Sequence, residues 1–175
     1  MKKTAVIFDI DGLLINSEPL WNKAAAEIFR QYGISLTEAQ YATTTGLRSK
    51  EFVAHWLHEY KIPSTEYERA EQRVIDQAML YIDKEATLMP GVEHIFQFFI
   101  AKEFKIGLAT SSPPALIEWV KDKLGIRSLI HASCSAQNLP YAKPHPQFIW
   151  MCKCPSYITA CMHLLRRFFL WHVSS

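Results

Sequence analysis

Short apolar runs separated by long stretches of helical periodicity dominate the chain. Ala5-Val6-Ile7-Phe8 is continuous, β-branched and aromatic, and turn-forming residues follow it at once, so it predicts a strand buried on both faces. Residues 9–17 then read as a loop. Ser17 is placed to cap a helix with Glu18 and Pro19 in its first turn, and Gly33 is placed to close it. A second helix is expected from Thr37. Ser49 is expected to cap a third, whose Phe52, Val53, Trp56, Leu57 and Tyr60 share a face. Thr65 and Glu68 form a capping-box pattern ahead of a longer helix that turns Ala70, Val74, Ile75, Ala78 and Ile82 inward.

Met89-Pro90-Gly91 opens the helical run VEHIFQFFI, and Lys105–Thr110 (KIGLAT) predicts a second buried strand. Ser112 and two prolines suit the start of another helix, which stops at Gly125. Leu129–Ser133 is a weaker third strand, and Pro146 begins a further helix. Strand and helix alternate around an all-helical interval, which predicts an α/β fold with a parallel, Rossmann-like sheet core and an inserted helical cap. The expected division is 1–15 and 85–150 for the discontinuous core, 16–84 for the cap, and 151–175 for a tail.

This arrangement gives the polar residues at strand ends a common address. In a parallel sheet Asp9-Ile10-Asp11-Gly12, Thr110-Ser111-Ser112 and Lys143-Pro144 converge on the crevice beyond the carboxyl ends of the strands. A carboxylate nucleophile, a hydroxyl with adjacent backbone amides, and an ammonium together suit a phosphoryl group in transfer. Asp11, held protonated, can serve the leaving oxygen and then activate water. Mg²⁺ fits such a site, since it takes carboxylate, carbonyl and water oxygens.

Composition narrows the partners. With 175 residues, 49% hydrophobic and 21% charged, the chain suits one core carrying a smaller insert. Its net charge of +2 is uneven: after Asp122 there is no acid and six bases remain, which leaves −4 on residues 1–122 and +6 beyond. Those bases are scattered, so nucleic-acid binding is not expected. No apolar run approaches the ~20 residues of a membrane span, and the N-terminus lacks a secretory pattern. A cytoplasmic protein with reduced thiols at Cys134, Cys152, Cys154 and Cys161 is expected. Cys152-x-Cys154 with Cys161-x-His163 does not have structural-zinc spacing.

At FDIDGLLINSEPLW, GLATSSP and LPYAKPHPQ the chain resembles the haloacid dehalogenase superfamily, in its β-phosphoglucomutase-like branch with a helical cap. Within that branch it is similar to phosphatases of 2-deoxyglucose 6-phosphate and hexitol phosphates. The resemblance spans residues 4 to about 150. It implies that Asp9 is a nucleophile forming an aspartyl-phosphate and that Asp11 is the general acid/base. Both would serve Mg²⁺, Asp11 through its main-chain carbonyl. It also implies that Thr110 and the Ser111 amide bind phosphate, with Lys143 as the motif lysine. Arg48 in Gly46-Leu47-Arg48 corresponds to a substrate-facing loop, where it would grip phosphate or sugar. A solvated arginine at a helix start is the other reading of Arg48.

Two departures matter. Trp21 stands where mutases of this branch carry a histidine, which favours hydrolysis over a β-phosphoglucomutase activity. The family's acidic metal motif on a later strand has no counterpart, because no Asp or Glu follows Asp122. The likeness fades past Trp150, so residues 151–175 read as an aberrant tail on a core incomplete at its C-terminus. The expected function is a magnesium-dependent phosphatase of small sugar phosphates, with an inactive phosphate-binding remnant as an alternative. The sequence leaves the oligomeric state open.

Overall fold

A computed structural model of the chain describes residues 5–137, 139 and 140. Its elements run in the order β1 Ala5–Phe8, α1 Glu18–Arg30, α2 Glu38–Thr43, α3 Ser49–Glu59, a 3₁₀ turn Ser64–Glu66, α4 Tyr67–Glu85, α5 Val92–Ala101, β2 Lys105–Thr110, α6 Pro114–Lys123, a 3₁₀ turn Arg127–Leu129 and β3 Ile130–Ser135. Lys143, the helix expected from Pro146 and the tail expected over residues 151–175 lie outside the described residues.

The three described strands form one sheet in the order β1-β2-β3, both pairings parallel. β1 and β2 run in register from Ala5 opposite Lys105 to Phe8 opposite Leu108. β2 and β3 pair from Ile106–Ile130 to Thr110–Ser135, with one irregularity between Ile106 and Gly107. Parallel pairing brings residues 9, 110 and 135 to the same edge of the sheet. The third strand starts and ends later than the sequence suggests, at Ile130 and Ser135, because a 3₁₀ turn occupies Leu129.

Two large apolar clusters, beside a small one at Ala109 and Ala136, hold the described residues together. The first joins the sheet to its flanking helices through Phe8, Ile106, Leu108, Phe96, Leu116 and Val120. Each such side chain, fully buried, contributes roughly 1.5–3 kcal/mol. Phe8 also stacks on Phe96 with centroids 4.9 Å apart and meets Phe99 edge-on at 5.7 Å, orienting β1 against α5. The second cluster lies among the helices that follow β1, with Ile28, Phe29, Val53, Trp56, Leu57 and Val74 buried. Ala70, Val74, Ala78 and Ile82 recur every fourth residue and form the buried face of α4. Trp21 packs against both clusters.

Several helix starts differ from expectation. Thr37 caps α2 with a full capping box to Gln40, as the sequence suggests. Arg48, not Ser49, is the N-cap of α3, with Ser49 inside the helix. The Thr65–Glu68 pattern does not cap α4, which follows a 3₁₀ turn and has no side-chain cap. Ser17 occupies the N-cap position of α1 with φ −99° and ψ −22° and makes no capping bond. Side-chain capping needs an extended backbone there, and this conformation is helical. Pro113 takes the N-cap of α6 in place of Ser112.

Candidate active site

The loop after β1 is a built structure. Leu14 N donates to Ile10 O at 2.9 Å and Gly12 N to Ile15 O at 3.0 Å. Gly12 has φ +69°, a left-handed conformation that a side chain resists. The far end of the loop is tied to residues 87–89 by Asn16 N to Thr87 O at 2.9 Å and Met89 N to Leu14 O at 3.0 Å. Ile10, Leu14 and Ile15 are fully or almost fully buried, so the turn is anchored between Asp9 and Asp11 and behind them.

Asp11 is the hub. Its Oδ1 accepts from Ser17 Oγ at 2.6 Å and from Trp21 Nε1 at 3.0 Å. Its Oδ2 accepts from Thr110 Oγ1 at 3.0 Å and from Ser112 Oγ at 2.6 Å. The two serines that the sequence offers as helix caps thus donate their hydroxyls to one carboxylate, since a charge-assisted bond is stronger than a neutral one. The sequence reading has Asp11 donating a proton, whereas here it accepts at both oxygens. Acting as a donor therefore requires it to release one of these partners. Asp9 Oδ1 accepts from the backbone N–H of Ile10 at 2.8 Å, which fixes its carboxylate beside the turn.

Thr110 is fully buried and also accepts from Ser112 N at 3.1 Å, so one hydroxyl shapes the turn after β2. Ser135 at the end of β3 donates to Ser112 O at 2.5 Å, and Ala136 N donates to Thr110 O at 2.8 Å. β3 therefore braces the Thr110–Ser112 turn from the far side.

Asp9, Asp11, Thr110 and Ser111 line one pocket of about 180 Å³ between the sheet edge and the helices. Gly46, Leu47 and Ser49 line it from the helical side. Arg48 does not: its Nη1 donates to Leu139 O at 2.5 Å and Ala136 O at 3.3 Å, and its Nη2 pairs with Glu51. Arg48 therefore ties the start of α3 to the segment after β3, while its neighbours face the pocket. Its guanidinium holds the Glu51 carboxyl below the ordinary glutamate range. A second tie runs beside it, where Gln137 Nε2 donates to Glu71 Oε1 at 2.6 Å and Ser49 Oγ donates to the same oxygen at 2.8 Å.

The sequence reading missed Ser17 and Ser112 as partners of Asp11, and noted Trp21 only as a departure from the mutases. Ser17 at the N-cap position and Trp21 within α1 stand four residues apart, a spacing that brings both side chains to Asp11. Glu18 also lines the pocket.

The donors suit magnesium in kind. Asp9 and Asp11 offer hard oxygens at one pocket wall, and Mg²⁺ needs only one or two carboxylates, the rest being waters and phosphate oxygens. Among the described residues no group of three or more His, Cys, Asp and Glu side chains forms a closed metal cage.

A parallel sheet with paired aspartates beyond its strand ends, covered by helices, defines an α/β protein whose site lies at the sheet's carboxyl edge. Residues 3–149 match the family model described as haloacid dehalogenase-like hydrolase, and the chain belongs to that family. It is 34% identical over 149 residues to hexitol phosphatase B of Escherichia coli K12, covering 85% of this chain and 67% of that protein. It is 30% identical over 143 residues to a phosphorylated carbohydrates phosphatase of Thermotoga maritima, covering 82% and 66%. The solved β-phosphoglucomutase of Clostridium difficile shares the fold, with TM-score 0.76 at 23% identity over 86% of this chain and 69% of that one.

Proposed function

We propose that this protein is a magnesium-dependent phosphatase of small phosphorylated sugars, a phosphoric monoester hydrolase working through an aspartyl-phosphate on Asp9. The observation that carries the reading is the hub at Asp11, which the turn after β1, helix α1 and the turn after β2 jointly fix beside Asp9. The names of its relatives, hexitol phosphatase B and phosphorylated carbohydrates phosphatase, support the substrate class. Residues 1–15 and 85–150 would form the core and 16–84 the cap.

An Asp9 carboxylate oxygen attacks phosphorus, the bond to the sugar oxygen breaks, and that oxygen takes a proton from Asp11. Water then gives its proton to Asp11 and attacks phosphorus, releasing phosphate and regenerating the Asp9 carboxylate. The Thr110 hydroxyl and the Ser111 amide hydrogen-bond the transferring oxygens, and Lys143 supplies a cation. Mg²⁺, held by Asp9 and the Asp11 main-chain carbonyl, would offset the anionic charge of the phosphoryl group. Arg48 would order the loop at Gly46–Ser49 through its carbonyl contacts. Gripping the substrate directly would require it to leave them.

Hydrolysis is favoured over mutase chemistry by Trp21. Its Nε1–H reaches Asp11 but can only donate, so it cannot relay a proton as a histidine can. The likeness to a β-phosphoglucomutase is one of fold, which does not carry function. Among the described residues no helix is long and apolar enough to cross a membrane. We assign the protein to the cytoplasm, acting on a small diffusible substrate with no nucleic-acid partner.

Phosphate release from a panel of sugar phosphates, with and without Mg²⁺, tests the reading. Release that needs both the metal and Asp9 supports it. Binding of phosphate esters with no turnover would make the chain a phosphate-binding remnant.

A further inference from the structure

Among the described residues three buried side-chain polar atoms lack a hydrogen-bond partner: Tyr41 Oη, Arg48 Nε and Ser111 Oγ. Two of the three, Tyr41 and Ser111, line the pocket that holds Asp9 and Asp11. Burying a hydroxyl without a partner is costly, and most buried polar groups avoid it. Two such hydroxyls on residues that line one cavity point to a ligand that supplies both partners.

They belong to different elements of the site. Ser111 is 8% exposed and follows Thr110 at the end of β2, where the phosphoryl group is placed by the reading above. Tyr41 belongs to α2, whose start is fixed by the Thr37–Gln40 capping box. Its ring stacks on Phe52 with centroids 6.2 Å apart and planes 20° from parallel, so the phenol has a fixed direction. Other hydroxyls lining the helical side are already committed. Thr44 Oγ1 donates to Tyr41 O and accepts from Trp56 Nε1, Thr45 Oγ1 donates to Tyr41 O, and Ser49 Oγ donates to Glu71.

Burial pushes the Tyr41 phenol above its ordinary value, with Arg30 opposing, so the hydroxyl keeps its proton and can donate at neutral pH. The pocket of about 180 Å³ has room for about six waters at their liquid volume of roughly 30 Å³ each. That suits a phosphate with a short polyhydroxylated chain.

We propose that Tyr41 is a specificity-determining residue whose phenol hydrogen-bonds a hydroxyl on the carbon chain of a phosphorylated polyol, while Ser111 Oγ serves its phosphoryl end. The inference rests on the phosphatase reading and adds to it the group that distinguishes a polyol ester from a bare one.

The test compares the wild-type chain with Tyr41→Phe on sorbitol 6-phosphate and on ethyl phosphate, which has no free hydroxyl on its carbon chain. KM and kcat come from phosphate release, Kd from calorimetry where there is no turnover, and the melting temperature from the unliganded protein. Losing one hydrogen bond should weaken sorbitol 6-phosphate roughly three- to tenfold, leave ethyl phosphate unchanged, and keep or raise the melting temperature. Equal effects on the two esters, or none on either, would overturn the proposal. So would a variant that fails to fold, since the hydroxyl would then be holding the structure together. If the wild type neither binds nor hydrolyses either ester, the phosphatase reading falls and this inference falls with it. If the wild type handles both and the variant does not separate them, the inference alone falls.

Discussion

Trp21 Nε1 donates to Asp11 Oδ1 at 3.0 Å, and the same side chain packs against both of the large apolar clusters. One side chain therefore fixes the proposed acid/base and joins the helical layer to the sheet. Trp21→Phe keeps much of the packing and removes the donor. Loss of a fixed orientation at a reacting carboxylate should lower kcat about tenfold with little change in KM. Steady-state kinetics separate the two constants, and an equal rise in KM with kcat unchanged would assign Trp21 to substrate binding instead.

Replacing Asp9, the proposed nucleophile, should end turnover outright. Asp9→Asn keeps the shape and removes the nucleophilic charge, so phosphate release should fall by at least about a thousandfold while the fold persists. Trapping an acid-stable, base-labile phosphoprotein on the wild type and not on the variant checks the covalent step. Equal labelling of both would place the intermediate elsewhere.

How much of this was legible follows from what each residue must reach. β1 and β2 end where the sequence places them, because a continuous apolar run meeting turn residues is a local signal. The helix start expected at Thr37 holds, and the capping box that fixes it closes within three residues. Ser17 and Ser112 were read as caps from local pattern, yet the acceptor that takes the Ser112 hydroxyl lies 101 positions away. The sequence offers Arg48 either as a ligand-gripping arginine or as a solvated one at a helix start; it does stand at the start of α3, but mostly buried. Its partners are backbone carbonyls 88 and 91 residues on, and a carbonyl carries no sequence signature. Tyr41 escaped notice because an unpartnered hydroxyl becomes visible only after every neighbour's bonds are assigned.

The Arg48 tie makes a prediction about acid stability. Arg48 holds the Glu51 carboxyl below its ordinary value of 4.5, so the pair's contribution is fully present above that value. It is lost as pH falls below 4.5 toward the folded-state value. Glu51 is 37% exposed, so solvent screening keeps its share small. Arg48→Met also strips charged donors from the carbonyls of Ala136 and Leu139, and should cost about 2 kcal/mol at neutral pH. Chemical denaturation of both proteins across the acid range checks this, and the difference between them should shrink on acidification. A difference that grows instead would mean the pair is not the source.

Two glycines should respond to alanine with opposite signs. Gly12 has φ +69°, and its missing side chain would lie 3.6 Å from the Glu18 carboxyl carbon. The space is adequate, but the left-handed backbone is not, so Gly12→Ala should cost roughly 1–2 kcal/mol. Because the strain falls directly after Asp11, phosphate release should fall as well. Gly107 lies inside β2, where a Cβ would meet Ile7 Cγ1 at 3.4 Å and Ala132 O at 3.5 Å, ordinary contact distances. Glycine loses more chain entropy on folding than alanine does, so Gly107→Ala should stabilise by about 0.5 kcal/mol. Paired denaturation curves decide both cases. Destabilisation at Gly107 would mean that the β1–β2 and β2–β3 contacts are tighter than these distances imply, with no room for a methyl group.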